Sequence, residues 1–382
     1  MKKRIFAAIL SAAMVIPAVL TGCGGGAMNQ APAAAPAPAA QAEAAAADTS
    51  SALPEITWKM GSTWGSGNIH YTCDKRFTEL VSQLTDGKFT ITNYSEGELC
   101  AANQLFDQVQ DGTIQCGGDW GGSWSGRDTA FELLSTIMDD FSAMDYYTWI
   151  YQAGGLKCYQ DQYGKFGMMY FPIMVNGCES GIRSSKPINS IKDMQTMKIR
   201  LGGVLAGKAA QKIGVNITAV AAAEIYESLM RGVIDGGEFS GPAADDSLKL
   251  QEVAKYWCAP GWYQSSGVNG VMINMDAWNA LPDEYKKAIE LAASACTGEQ
   301  IARYTWADMT TTNKMLEQDG VTITKLPEED KMKIREVCQQ TYEEEAAANP
   351  NFKVIYDSMQ DYRKQAAAYR DWAGDYGFGF NK

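Results

Sequence analysis

The chain has 382 residues, enough for two lobes of ordinary domain size and an ample core. Apolar residues make up 46% and charged residues 20%, which excludes global disorder, collagen-like repeats and a coiled coil. The formal charge of −12 argues against a nucleic-acid partner, and the single histidine, His70, excludes a multi-histidine zinc site.

Lys2, Lys3 and Arg4 precede an apolar run, Ile5 to Leu20, that is short for a membrane span and reads as the core of a secretory signal. It ends in Leu20-Thr21-Gly22-Cys23, which is similar to the bacterial lipobox; cleavage would remove residues 1–22 and leave the lipid on Cys23. Removal takes away three basic and no acidic side chains, so the formal charge becomes −15 and the lipid must hold the protein to an anionic membrane. Residues 23–53 are rich in alanine, carry Pro32, Pro36 and Pro38, and read as a tether. Nine cysteines with no CxxC pair leave two readings open beyond Cys23: disulfides, or buried apolar thiols.

The body starts near Pro54. Ile56 to Trp64 reads as a strand, His70 to Leu84 as a helix with Phe77, Leu80, Val81 and Leu84 on one face, and Phe89 to Thr92 as a strand. Asn103 to Gln110 is a short helix stopped by Gly112, and Thr113 to Asp119 a third strand. This order predicts a parallel or mixed sheet with crossover helices. The pattern returns in a second lobe: strand Met197 to Leu201, helix Gly207 to Ile213, strand Val215 to Val220, helix Ala223 to Val233 and a strand end at Asp235 to Phe239. Pro282 to Glu317 and Phe352 to Trp372 read as helices, and no repeat of 20–50 residues is visible.

The glycine pairs in GGDWGG (117–122) and at Gly202-Gly203 do not match a phosphate loop and fit close backbone approach or turns. Trp120 and Trp124 would line a cleft mouth or pack in the core. Arg200, at a strand exit, offers a fork to a carboxylate.

The runs KIRLGG (198–203), AGKAAQKIGVNITAV (206–220), AAEIYESLMRGVIDGGEF (222–239), AKYWCAPGW (254–262) and VMINMDAWNALPDE (271–284) occur in an order that resembles the extracytoplasmic solute receptors of TRAP transporters. GELCAANQLFDQVQDGTIQCG (97–117) and WSGRDTAFELLSTI (124–137) extend the resemblance, which is nearest to the 2-oxo-acid, or mannitol/chloroaromatic, branch. It implies an α/β, two-lobed periplasmic-binding-protein-like fold with an interlobe cleft and a long bridging helix. Lobe I would span 54–175 with a return at about 260–300, lobe II 176–259 with a return at about 301–350, and 351–382 would be a C-terminal helix.

The resemblance implies no catalytic step, a small organic acid as ligand, and membrane permease subunits as partners. The implied substrate-binding set is Arg200, Glu179, Phe239, Trp64, Trp124, Trp262 and Asn269. Glu179, Glu238 and Phe239 would hold Ca2+ or Na+, with Phe239 in place of the family's usual tryptophan and Gly270 in place of an acidic residue. Glu179 would otherwise pair with Arg183, and His70 would face the cleft or the surface. The C-terminal helix would mediate a homodimer or pack on its own chain. A sensory lipoprotein, or a secreted enzyme using Glu179 and Glu238 as acid and base, are the competing classes.

Overall fold

The computed structural model describes residues 53–138 and 141–373. The signal segment, Cys23 and the tether therefore lie outside the described residues. In chain order the strands are β1 (Ile56–Ser62), β2 (Phe89–Tyr94), β3 (Cys116–Trp120), β4 (Thr136–Ile137) and β5 (Met168–Asn176). There follow β6 (Ile182–Ser184), β7 (Lys198–Arg200), β8 (Asn216–Ile217), β9 (Gly236–Gly237), β10 (Tyr256–Cys258), β11 (Ser266–Asn274) and β12 (Thr322–Thr324). They build two mixed sheets. The first runs β2-β1-β3-β11-β4, with β5 also on β11; the second runs β12-β10-β6-β9-β7-β8.

β1, β2 and β3 are parallel because each link between them carries a helix, Ile69–Leu84 and Leu105–Gln110. The apolar face of the first of these helices buries Phe77 and Val81 beneath the sheet. β5, MMYFPIMVN, is the longest of the strands that the sequence reading did not name, the short β4, β6, β10 and β12 being others. It is buried on both faces, which explains its unbroken apolar run, and it pairs antiparallel with β11. The register of that pair shifts between Asn269 and Gly270, opposite Pro172, a residue with no N–H to give the ladder.

The two sheets share a motif at an offset of 120 residues. Ala102–Gln104 and Ala222–Glu224 form 3-10 turns, Leu105–Gln110 and Ile225–Met230 the helices that follow. Gly112 (φ 80°) and Gly232 (φ 68°) then stop each helix in the left-handed region, and β3 and β9 begin four residues on. Each lobe thus presents the same kind of strand end and loop to the other.

The chain crosses between sheets after β5 and before β11, and the 35-residue helix Asp283–Glu317 packs on β5 and on helix Pro242–Ser247. Glu132, buried in the first lobe, accepts hydrogen bonds from Val204 N (2.9 Å) and Leu205 N (2.8 Å) at the start of helix Val204–Lys212. Gly203, at φ 89°, lets that carboxylate approach: a Cβ there would lie 2.5 Å from Glu132 Oε1.

Helix Pro350–Ala373 packs on its own chain, burying Phe352, Ile355, Met359 and Tyr362 against helices Ala130–Ser135, Gly155–Gly164 and Glu328–Ala348. Its removal would uncover core. The eight described cysteines are free thiols, which favours the apolar-thiol reading. Val215 to Val220 shrinks to the two-residue edge strand β8, because the chain turns at Ala221 into the second 3-10 turn.

Candidate ligand-binding cleft

A cavity of about 610 Å3 lies between the two sheets, at the carboxyl ends of β1, β3, β7 and β9. This is where open α/β sheets place their ligands. The first lobe contributes Trp64, Asn68, His70, Trp120 and Asn269; the second contributes Arg200, Gly202, Glu238, Phe239 and Ser240. Asn176, Glu179 and Gln264 come from the crossings.

Arg200 ends β7 and turns toward β9. Its Nη1 donates to the Glu238 carbonyl (2.7 Å) and to Glu238 Oε1 (2.8 Å), and its Nε donates to the Val220 carbonyl (3.2 Å). The guanidinium plane is therefore fixed by protein before any ligand arrives, with part of its fork already used. Glu238 Oε1 also accepts from Gly202 N. A side chain at residue 202 would crowd both groups, since a Cβ would sit 3.2 Å from Glu238 Oε1 and 3.5 Å from Arg200 Nη1.

Glu179 is buried beside this pair. Its N–H donates to the Gln264 carbonyl at 3.1 Å, and its carboxyl shares a hydrogen bond with Glu238. Burial, then the charge of Glu238, push its carboxyl well above the usual range, while Arg200 opposes them. Arg183 does not serve Glu179: its Nε lies 2.9 Å from Asp245 Oδ2, with both side chains fully buried. The cleft thus holds two facing carboxyls and one committed guanidinium. Oxygen-only donors in that arrangement suit a hard cation. Among the described residues, no group of three or more His, Cys, Asp or Glu side chains could hold an ion, so backbone or ligand oxygens would have to complete the shell.

His70 sits in the first turn of helix Ile69–Leu84, whose start is fixed by Asn68 Oδ1 accepting from His70 N at 2.9 Å. It faces the cleft, not the surface. Its ring lies 4.6 Å from that of Trp64 and 5.6 Å from that of Tyr304, and burial pushes its pKa down to about 3. Trp64 Nε1, His70 Nδ1 and Asn269 Nδ2 are buried without a hydrogen-bond partner, and all three belong to cavity-lining residues. Such groups ask for a ligand or water oxygen.

Six of the sequence-derived candidates line the cavity: Arg200, Glu179, Glu238, Phe239, Trp64 and Asn269. Trp124 does not. It packs on Phe106 and donates to Asp119 in the core, and Trp120, at the end of β3, takes the cleft position. The strand end was the available signal. Gly122 makes room for it, since a Cβ there would lie 2.3 Å from the Trp120 ring. Trp262 is likewise outside the lining and packs on Tyr263 and the core. Gly270 has its own reason: a Cβ would lie 2.4 Å from Tyr170 Cζ, so no acidic side chain fits there while that tyrosine stays.

Behind the cleft, Asp74 and Asp119 are buried neighbours. Ser62 Oγ donates to Asp74 Oδ2 at 2.6 Å, and Tyr163 donates to Asp119 at 2.9 Å. Burial pushes Asp74 up to about 8 and Asp119 up to about 7. An unfolded aspartate titrates near ~3.9. Between those values the folded chain keeps protons that the unfolded chain has released, so rising pH favours unfolding. Their contribution is complete below about pH 4 and is lost as pH rises through about 7 to 8. Thermal melts should show the midpoint falling between about pH 5 and pH 8, by roughly 2–4 °C per kcal/mol lost. Asp74→Asn should flatten that slope; an unchanged slope would refute the assignment.

Comparison with known proteins agrees with this geometry. The family model for bacterial extracellular solute-binding protein, family 7, matches residues 60–349. A monocarboxylate 2-oxoacid-binding periplasmic protein of Nostoc is 29% identical over 323 residues, covering 85% of this chain and 88% of that protein. A TRAP transporter solute-binding protein from Bordetella bronchiseptica, solved with calcium and picolinate, superposes with a TM-score of 0.79 at 29% identity, covering 84% of this chain and 95% of that one. Another, from Pseudoalteromonas atlantica with sodium and pyruvate, gives 0.78 at 26%, covering 84% and 97%. These are receptors and not enzymes, and their two-lobed fold is the one described above. The chain therefore belongs to the bacterial extracellular solute-binding proteins of family 7, the extracytoplasmic receptors of TRAP transporters.

Proposed function

We propose that this receptor captures a 2-oxo or 2-hydroxy monocarboxylate together with calcium or sodium, and delivers it to membrane permease subunits while a lipid on Cys23 holds it to the membrane. The observation that carries the reading is Arg200, held at the cleft floor by Glu238 with Glu179 alongside. Arg200 Nη2 is the donor left for a ligand carboxylate. The cation would rest on Glu179, Glu238 and the Phe239 carbonyl, neutralise the facing carboxyls, and take the oxo or hydroxyl oxygen next to the acid. That arrangement selects 2-substituted acids over propionate. The metal-bound relatives support it, since their calcium accompanies picolinate and their sodium accompanies pyruvate. Closing the lobes would desolvate the Arg200 pair and strengthen it. A homodimer is part of the same reading, in line with the Bordetella receptor, which was solved as a dimer; light scattering of the full chain tests it.

Calorimetry of chelator-treated protein tests the site. Pyruvate should bind weakly or not at all until calcium or sodium is restored, and propionate should stay weak throughout. At 100 times its dissociation constant a true ligand should stabilise the fold by about 2.7 kcal/mol, visible in a thermal melt. Affinity unchanged by chelation and by added cation would reject the bridged metal.

A further inference from the structure

Three carboxyl side chains share the cleft with one cation. Glu96, Glu179 and Glu238 line it, and Arg200 is the one Lys or Arg among the described lining residues. Two of the Arg200 nitrogens are already bound to Glu238 and Val220. A second carboxylate on a ligand would find no protein cation of its own and would face the glutamates.

One part of the remaining wall is aromatic, beside neutral polar side chains such as Asn68, Asn176, Gln264 and Asn269. Trp64, His70 and Trp120 come from the first lobe and Phe239 from the second. The His70 ring centroid lies 4.6 Å from Trp64 and 6.2 Å from Phe239, so these three rings meet across the interlobe gap. Ala221, Ala222 and Ala223 add further lining with no polar side-chain atoms. A volume of about 610 Å3 falls in the range that encloses drug-sized ligands, and a three-carbon acid would fill little of it.

We propose that the ligand is a 2-oxo monocarboxylate bearing a planar, uncharged aromatic side chain. Its acid end meets Arg200, and its ring packs on Trp64, His70, Trp120 and Phe239, stacked or edge-on. This rests on the reading of the cleft as a carboxylate receptor and adds the class of side chain. Pyruvate leaves the aromatic wall uncovered. A 2-oxo dicarboxylate brings charge to a wall that cannot pair it.

Calorimetry of the purified full chain with calcium present compares pyruvate, phenylpyruvate, indole-3-pyruvate and 2-oxoglutarate. Phenylpyruvate or indole-3-pyruvate should bind at least about tenfold tighter than pyruvate, the return expected for burying a ring in place of a methyl. 2-Oxoglutarate should bind at least about tenfold more weakly than the better aromatic acid. Trp64→Ala should shrink the aromatic-to-pyruvate affinity ratio several-fold; Phe239→Ala gives the same readout from the other lobe should the first variant not fold. Pyruvate or 2-oxoglutarate matching the aromatic acids would overturn the proposal and leave the receptor reading standing. A ratio unchanged in the folded variants would overturn the assignment of the ring to this wall. Binding of none of the four acids would overturn the reading of the cleft as a 2-oxo-acid site.

Discussion

Arg200→Lys is expected to weaken binding of a 2-oxo acid by roughly 2–5 kcal/mol, the range for truncating one partner of a buried charge pair. The charge is kept, so the loss comes from geometry. In the folded chain Nε and Nη1 are fixed by Val220 and Glu238, which aims the plane of the group at the cleft. An ammonium on a flexible stem holds neither bond in that plane and offers no fork. Glu238 would lose its 2.8 Å partner while still facing Glu179, so the two carboxyls would repel with less relief. The measurement is calorimetry, with a ligand-free thermal melt beside it. Wild-type affinity would sink the assignment of Arg200 as anchor. A large fall in the ligand-free midpoint would instead identify the residue as a structural brace of β7 and β9.

Much of this site was legible because chemistry sits at strand ends. Arg200 stands out at a strand exit before two glycines and Glu238 at the end of the strand that follows helix Ile225–Met230, while the resemblance to TRAP receptors supplied the role expected of each. The parallel pairing of β2, β1 and β3 agrees with the parallel or mixed sheet expected from the alternation of strands with helices. Other features needed three dimensions. β5 hid behind Pro172, which argues against a central strand until the bulge opposite it is seen. Trp120 and Trp124 are four residues apart in one glycine-rich stretch, and only the end of β3 decides which faces the cleft. The repeat between lobes escaped notice because few positions stay identical: Gly112 with Gly232, Ile114 with Ile234, Gly117 with Gly237 and Gly121 with Gly241 are the clearest. The two copies then diverge where function begins. Gly118 corresponds to Glu238; the glycine is required because a Cβ would lie 2.3 Å from Asp74 Oδ2, whereas the glutamate reaches Arg200. Arg183 was legible as a cation near Glu179 in sequence, but its partner lies 62 residues away, where no local pattern points.

That partner sets the other large expected effect. Arg183→Met should cost about 3–5 kcal/mol of stability, because it leaves Asp245 buried and unpaired. Both side chains are 0% exposed, at 2.9 Å, with Arg183 on a central strand of the second sheet and Asp245 on helix Pro242–Ser247. Arg183 lies in β6 opposite Gly237 of β9 and Trp257 of β10, and its guanidinium also stacks 4.0 Å above the Trp257 ring. Asp245 in turn accepts from Ser240 N at 3.2 Å, which fixes the loop that carries Glu238 and Phe239 into the cleft. Methionine keeps much of the volume on Trp257, so the charge left behind is the main loss. Asp245→Asn in the same chain removes that charge and keeps an acceptor for Ser240; the double variant should recover at least about half of the single variant's cost. Denaturant titration measures both. The Asp245 carboxylate also adds to the negative field at Glu179, so the single variant should lose ligand affinity as well, and the double variant should regain it. A single variant within about 1 kcal/mol of wild type, or a double variant whose cost equals the sum of the two single substitutions, would show that the pair neither stabilises the sheet nor shapes the cleft.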